Sequence, residues 1–527
     1  MKKEKESKNG ISRRELIKIT GVGVGAATLG GLGSTGVGAH ELSVTWDKET
    51  EVLIIGSGFA GLAAAIEASD AKASVTILEK MPIYGGNSII AAGVYNCVDP
   101  DRQRAQGIKD SIDLHYEQTI DGGDYRPDPE RVRYIVEHAL EGWQWLERMG
   151  VELTGPIYQI YGALWPRSHR PKYKDKIQGA AIVAALYDQV KARRIPILLE
   201  HKVTKVLRSQ PLEGRIMGVE VEANGKRLNF KAKRALVIAS GGFCADVEMR
   251  MRHDPRFDAR FIHSNHNGAT GETLIAAQDV GADVTGLCFI QSGGPSGLDI
   301  RYVTPPVGIV PRQRRVILYV GSLSVDHIIY TDLRGKRIVA ADTRRDYITD
   351  AILRTPEKVV VAIGDAESPK YSMYGPTPPG VLDRALKEHP KEIFKADTIR
   401  GLAEKIGMSD PSILVETVTK YNSFVDAKKD PEFGQLPQNL IWKCEKAPFW
   451  AATGSPAVHH MCGGLRTKPT TAQVLDRSNK IIPGFYAAGE ITGGMHGTNR
   501  LGGNATTDCI VFGRVAGKNA AAESPWG

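Results

Sequence analysis

The chain has 527 residues, 42% hydrophobic and 24% charged, with a net charge of +8. That length suffices for two or three domains around a large core, and the composition is ordinary for a globular protein. Seven Lys/Arg and three Glu fall in residues 1–39, which thus carry +4 of the +8. The remaining charge is too mild to point to nucleic acid, and no basic helix or stacking motif supports such a partner.

The N-terminal stretch reads Ser12-Arg13-Arg14-Glu15-Leu16-Ile17-Lys18, then a Gly/Ala/Thr-rich, weakly apolar run to Val37-Gly38-Ala39. A paired arginine before such a run resembles a twin-arginine export signal over residues 1–39, which implies a periplasmic protein exported already folded around its cofactor. A disordered basic tail is the plainer alternative. The apolar run is diluted by glycine and too weak for a stable membrane span.

The folded region opens with Glu51-Val52-Leu53-Ile54-Ile55-Gly56-Ser57-Gly58-Phe59-Ala60-Gly61. The unbroken apolar run suits a buried parallel strand. The glycines then open an Ala-rich helix, the order a dinucleotide pyrophosphate requires. A second strand, Ser74–Leu78, ends in Glu79, where an acid can hold a ribose hydroxyl. Gly85-Gly86-Asn87-Ser88 follows, and later the strand Ala235–Ser240 with Gly241-Gly242. Six cysteines (97, 244, 288, 444, 462 and 509) form no CxxC, so haem attachment, iron–sulfur and other metal-ligand spacings are lacking. They read as small buried groups, with one disulfide left open.

Residues 40–287 read as the first part of a cofactor domain, 288–456 as an inserted domain, and 457–527 as the return that completes the first. Within the insert, Leu333-Arg334-Gly335-Lys336 predicts a hairpin turn, and Glu392–Ile406 and Pro411–Tyr421 predict amphipathic helices around a Gly407–Asp410 turn. Near the C-terminus, residues 483–505 hold a glycine cluster around Arg500 that no ordinary core element tolerates.

These features, with Arg167-Ser168-His169-Arg170-Pro171, Gly335-Lys336-Arg337 and the run from Gly489 to Ala505, resemble the flavoprotein subunit of the fumarate reductase/succinate dehydrogenase family over about residues 48–522. The soluble periplasmic branch of flavocytochrome c fumarate reductase and urocanate reductase is the nearest in pattern. The resemblance implies an α/β fold, a Rossmann-like FAD-binding domain with an inserted α+β capping (clamp) domain, and substrate at the seam between them. It places cofactor contacts at Gly56, Gly58, Phe59, Ala60, Gly61, Glu79, Lys80, Gly86, Asn87, Ser88, Ser240, Gly241, Glu272, Gly489, Glu490, Asn504 and Ala505. Ser88 stands where membrane-bound relatives bond FAD to a His, so non-covalent FAD is expected.

In that family reduced flavin delivers hydride from N5 to an activated C=C bond, and the protein binds the activating carboxylate and supplies a proton. His459 and Arg500 match the family's carboxylate ligands in His459-His460-Met461-Cys462-Gly463-Gly464 and Asn499-Arg500-Leu501-Gly502-Gly503-Asn504. Arg345, in Thr343-Arg344-Arg345-Asp346, matches its proton-donating arginine. A structural clamp on loop carbonyls, for Arg500, and an exposed basic pair, for Arg344 and Arg345, are the bland alternatives.

Two departures stand out. The family's Glu and Arg relay positions are here Gly321 and Ser324, leaving Asp326 and His327 as nearby polar candidates. A His that holds the far carboxylate of fumarate is replaced by Gly293, and an insertion follows within Gly297–Val316. Losing a charged anchor argues for a monocarboxylate of acrylate, cinnamate or urocanate type, with Tyr161, Trp165, Tyr302 and Tyr319 as candidate tail contacts. Without its own haem, the chain is expected to take electrons from a separate c-type cytochrome. The alternatives are a ketosteroid-type flavin dehydrogenase, fumarate reductase proper, and a flavin-bearing electron carrier without turnover.

Overall fold

A computed structural model describes residues 44–160, 162–296, 325–371 and 379–526. The leader 1–39, Tyr161, Tyr302, Tyr319, Gly321 and Ser324 lie outside the described residues. Numbered in chain order, strand β1 (Lys48–Ile55) leads through helix α1 (Phe59–Asp70) to β2 (Val75–Leu78), β3 (Ile197–Leu198), β4 (Lys202–Gln210), β5 (Glu213–Ala223) and β6 (Lys226–Ile238). The middle of the chain supplies β7 (Ile290–Ser296), β8 (Ile329–Thr331), β9 (Arg337–Val339), α2 (Arg345–Arg354), β10 (Val360–Gly364), β11 (Ile393–Ala396), α3 (Ile399–Ile406) and α4 (Pro411–Ala427). The C-terminal part adds β12 (Phe449–Met461), β13 (Gln473–Leu475), β14 (Ile481–Ala487) and α5 (Asn504–Ala522).

The first sheet runs β14-β6-β1-β2-β3, all parallel, with β13 antiparallel on its edge. The N-terminal half of β6 also pairs antiparallel with β5, and β5 with β4. Val52, Leu53 and Ile54 have no exposure, as expected of a strand covered on both faces. Helix α1 is covered in turn by α5, and glycines make the close approach possible. A Cβ on Gly513 would lie 2.6 Å from the Ala60 carbonyl oxygen, and one on Gly517 2.1 Å from that of Ala64.

The second sheet runs β7-β12-β10-β8-β9, with β11 also paired to β12. Strand β12 is its spine: residues 450–454 pair with β10, and residues 455–461 with β7. The boundary expected at 456/457 falls inside this continuous strand, and the chain from Leu42 onward forms one compact unit. β8 and β9 form the predicted hairpin, whose turn is tied by Asp332 Oδ1 accepting from Arg334 N and Lys336 N at 2.9 Å. The helix predicted over Glu392–Ile406 is corrected. Ile393–Ala396 is strand β11, Thr398 caps α3, and helix begins only at Ile399. Edge pairing with β12 outweighs the helical propensity of a segment too short to nucleate alone.

Candidate active site

Between the loops that follow β1, β2 and β6 lies a cleft. Gly56, Gly58, Phe59 and Ala60, Glu79 and Lys80, Gly86, Asn87 and Ser88, Ser240 and Gly241, Glu272 and Glu490 all line it. Four other predicted contacts do not. Gly61 serves helix–strand packing, since a Cβ there would lie 2.0 Å from the Gly56 carbonyl oxygen. Gly489 faces Ala60 and Cys509. The Asn504 amide is engaged by Asn96, His115 and Thr119, and Ala505 sits half-buried in the first turn of α5. His201, Lys202 and His266, which the sequence did not single out, also line the cleft.

The cleft fits a dinucleotide. Gly58 precedes α1 and offers no capping side chain, so the first-turn amides remain available to an anion apart from Phe59 N, which donates to Ser88 Oγ at 2.9 Å. Glu79 Oε2 accepts from Ser57 N and Oγ at 3.1 and 2.6 Å, and Oε1 from Met81 N at 3.0 Å. A carboxylate has about four acceptor positions, which leaves capacity for a ribose hydroxyl. Lys80 Nζ lies 2.8 Å from Glu272 Oε2. Burial alone would raise the Glu272 carboxyl, but hydrogen bonds from Lys80 and Thr270 pull it down to about 2.

A second set of residues collects around Arg500. Arg345 begins α2, and its Nη2 donates to the Arg500 carbonyl at 2.6 Å. Gln291 Nε2 on β7 donates to the same carbonyl at 3.1 Å and to Asn499 Oδ1 at 2.8 Å. Both arginines are under one-tenth exposed. Among the described residues, Arg500 Nη1 donates to the Leu501 carbonyl at 3.3 Å, and its Nε is buried with no hydrogen-bond partner. Burial, with the Arg345 charge beside it, pushes the Arg500 guanidinium down to about 9. A buried cation whose donors are poorly paired is costly, and an anion bound at these donors relieves that cost. Glu490 carries the connection back to the cleft: it lines the wall, accepts from Met461 N at 3.0 Å, and acts electrostatically on Arg500.

The adjacent arginines diverge. Arg344 precedes the helix in extended conformation and pairs with Asp124 at 2.6 Å and Asp346 at 2.7 Å, while Arg345, the first helical residue, turns inward. Arg345 packs on Gly162, where a Cβ would lie 2.6 Å from its Nε.

His459 is the extra residue of a bulge in β12, because Gln291 pairs with His460 and Ser292 with Val458. Its ring faces Gly293, where a Cβ would lie 3.3 Å from Cγ, and its Nδ1 lies 2.5 Å from Ser264 Oγ. His460, absent from the expected site, is buried against Gln291 and His496, its ring 5.2 Å from the His496 ring. Burial and then the Arg500 charge hold both imidazoles well below the usual histidine range, so both are neutral. Their adjacency to Arg500 is written in the sequence only as His459-His460 and Met495-His496-Gly497; no spacing rule connects the two. The Cys462 thiol, pushed up to about 12 by burial, is a neutral wall.

Other candidates have partners of their own. Trp165 is half-buried with its indole N–H on the Lys109 carbonyl at 2.9 Å. Arg167 is locked to Asp110 at 2.8 Å and Gln118 at 2.8 Å, and Ser168 to Asn96, which in turn holds the Gly502 carbonyl. His327 lies 2.8 Å from Asp326 and stacks on Tyr371 and Trp442. All six cysteines are free. No His/Cys/Asp/Glu group among the described residues is arranged to hold a metal, and no helix among them is long and apolar enough to cross a membrane.

The family model described as an FAD binding domain matches residues 51–506. A probable fumarate reductase of Shewanella frigidimarina (strain NCIMB 400) is 33% identical over 476 residues, 90% of this chain and 75% of that protein. The acrylate reductase flavoprotein subunit of Shewanella woodyi (strain ATCC 51908 / MS32) is 32% identical over 533 residues, 97% of this chain and 99% of that one. The open conformation of a flavocytochrome c3 fumarate reductase superposes with a TM-score of 0.72 at 30% identity, covering 99% of this chain and 83% of that one. With a cleft that fits the cofactor and these relatives, the chain belongs to the FAD-binding flavoprotein family of the fumarate reductases and is an FAD-dependent oxidoreductase acting on carbon–carbon bonds.

Proposed function

We propose that the protein reduces the C=C bond of an α,β-unsaturated monocarboxylate of acrylate, cinnamate or urocanate type. The observation that carries this reading is the junction of Arg345 with the Arg500 carbonyl, which gathers two buried guanidiniums beside the cofactor-side wall. Reduced FAD, when bound, supplies the hydride to the β carbon. Arg500 presents a planar fork that matches a carboxylate, and His459 is the second ligand of that group. As negative charge develops toward the α carbon, Arg345 stabilises it and gives up the proton. Its low intrinsic acidity is matched by the strong basicity of the carbanion it serves.

Gly293 supports a single carboxylate. It supplies no charged anchor, and a Cβ at this position would already lie 3.3 Å from Cγ of the His459 ring. A dicarboxylate would leave its far group unpaired. The buried arginine pair favours a carboxylate over the ring ketone of a steroid. The Shewanella woodyi relative is named a flavoprotein subunit, which supports electron supply from a separate carrier, here proposed to be a c-type cytochrome. The Arg13-Arg14 leader supports twin-arginine export to the periplasm.

The test is to reduce the FAD-loaded enzyme with dithionite and viologen, then follow reoxidation by acrylate, cinnamate, urocanate, fumarate and a steroid enone. Fastest reoxidation by one of the monocarboxylates is expected. Fumarate as best oxidant would overturn the single-carboxylate argument, and a steroid enone as best oxidant would overturn the reading as a whole.

A further inference from the structure

We infer that Ser264 is a positioning residue for the His459 imidazole, and that Asn265 and Asn87 join its setting to the wall of the FAD cleft. The inference rests on the reading of His459 as a substrate ligand. A bulged residue falls out of register with its ladder, so contacts beyond the ladder set its aim. For His459 those contacts converge from several segments. Ser264 Oγ meets Nδ1 at 2.5 Å, Gly293 bounds the ring, and Asn265 Nδ2 donates to the His459 carbonyl at 2.9 Å.

Ser264 is itself fixed, because its N–H donates to the Val458 carbonyl at 2.9 Å, immediately before the bulge. The chain of bonds then continues to the cofactor side. Asn265 Oδ1 accepts from Asn87 Nδ2, and Asn87 Oδ1 accepts from His266 N at 2.9 Å. Asn87 and His266 both line the cleft. A serine hydroxyl that donates to Nδ1 selects the tautomer with its proton on Nε2. In that form a neutral imidazole donates a hydrogen bond from Nε2 to a carboxylate. The glycine at 293 has a second consequence: it leaves room for the ring pose that Ser264 holds.

The experiment compares the full-length FAD-loaded enzyme with Ser264→Ala, Ser264→Thr and His459→Ala, using acrylate and cinnamate as oxidants and reduced viologen as donor. Nitrogen-15 histidine NMR, assigned by the signal missing in His459→Ala, reports the tautomer without turnover. Ser264→Ala is expected to raise KM about five- to tenfold, the cost of one neutral hydrogen bond, with kcat little changed. It should also shift the His459 Nδ1 resonance, and Ser264→Thr, which keeps the hydroxyl, should restore both. An unchanged Nδ1 resonance and KM in Ser264→Ala would overturn the positioning role. An unchanged KM in His459→Ala would remove the histidine from substrate binding, and the consequence for Ser264 with it. A shifted resonance in Ser264→Ala would then show that the contact exists and that the reading of His459 failed.

Discussion

The Nη2 of Arg345 donates to the main-chain carbonyl of Arg500 at 2.6 Å, across a separation of 155 residues. One hydrogen bond thus joins the first turn of α2 to the glycine-rich segment before α5. Gln291 donates to the same carbonyl, so three chain segments meet at one oxygen. A guanidinium held this way keeps its direction beside the neighbouring one.

Replacing Arg345 by Ala should lower kcat by about 10²–10⁴, the range for a positioned acid, while FAD content and the flavin spectrum stay close to those of the parent. Viologen-linked kinetics and absorbance spectra check this. Unaltered turnover would exclude Arg345 from the chemistry.

Gly162 is the least conspicuous residue of the site and a sharp test of its geometry. It adopts φ +76°, and any Cβ would meet the Arg345 guanidinium. Gly162→Ala strains the backbone by about 1 kcal/mol and forces Arg345 aside. Turnover should fall at least about tenfold with only a small drop in Tm. Equal activity would mean that Arg345 has freedom to move that its packing does not suggest.

Arg500 gives a pH dependence of definite sign. Burial disfavours the charged form, so the folded group titrates at about 9, below its ordinary value. The guanidinium is present below that pH and lost above it. Acrylate KM should therefore stay level from pH 6 to 8 and rise about tenfold per unit above 9, as one proton is lost. In the ligand-free protein the same group costs stability below pH 9, and that cost is relieved as pH rises further. A KM that falls with rising pH would contradict the assignment.

Glu272 behaves in the opposite sense. Its carboxyl is pulled from an ordinary 4.5 to about 2 by Lys80 and Thr270, against the effect of burial. Its stabilisation is full above pH 4.5 and is lost as pH falls toward 2. Glu272→Gln should cost about 1 kcal/mol at pH 7, a figure discounted for the exposure of the pair. Thermal melts across this window should show the difference between parent and variant closing on acidification.

What the sequence determined by itself is the cofactor side of the protein. Gly56, Gly58, Glu79 and Ser88 are legible because each is set by local backbone geometry: a tight turn, a helix start, a strand end. The hairpin after Asp332 was legible for the same reason. Tertiary structure decided the substrate side. A four-residue strand at 393–396 exists only because β12 offers it a ladder. The bulge that aims His459 arises where β7 and β12 pair out of step, and no local pattern encodes that. Gly162 meets Arg345, Ser264 meets His459 and His460 meets His496 only because segments far apart in the chain pack together. Their roles follow from burial and long-range electrostatics, quantities that do not exist until the chain is folded.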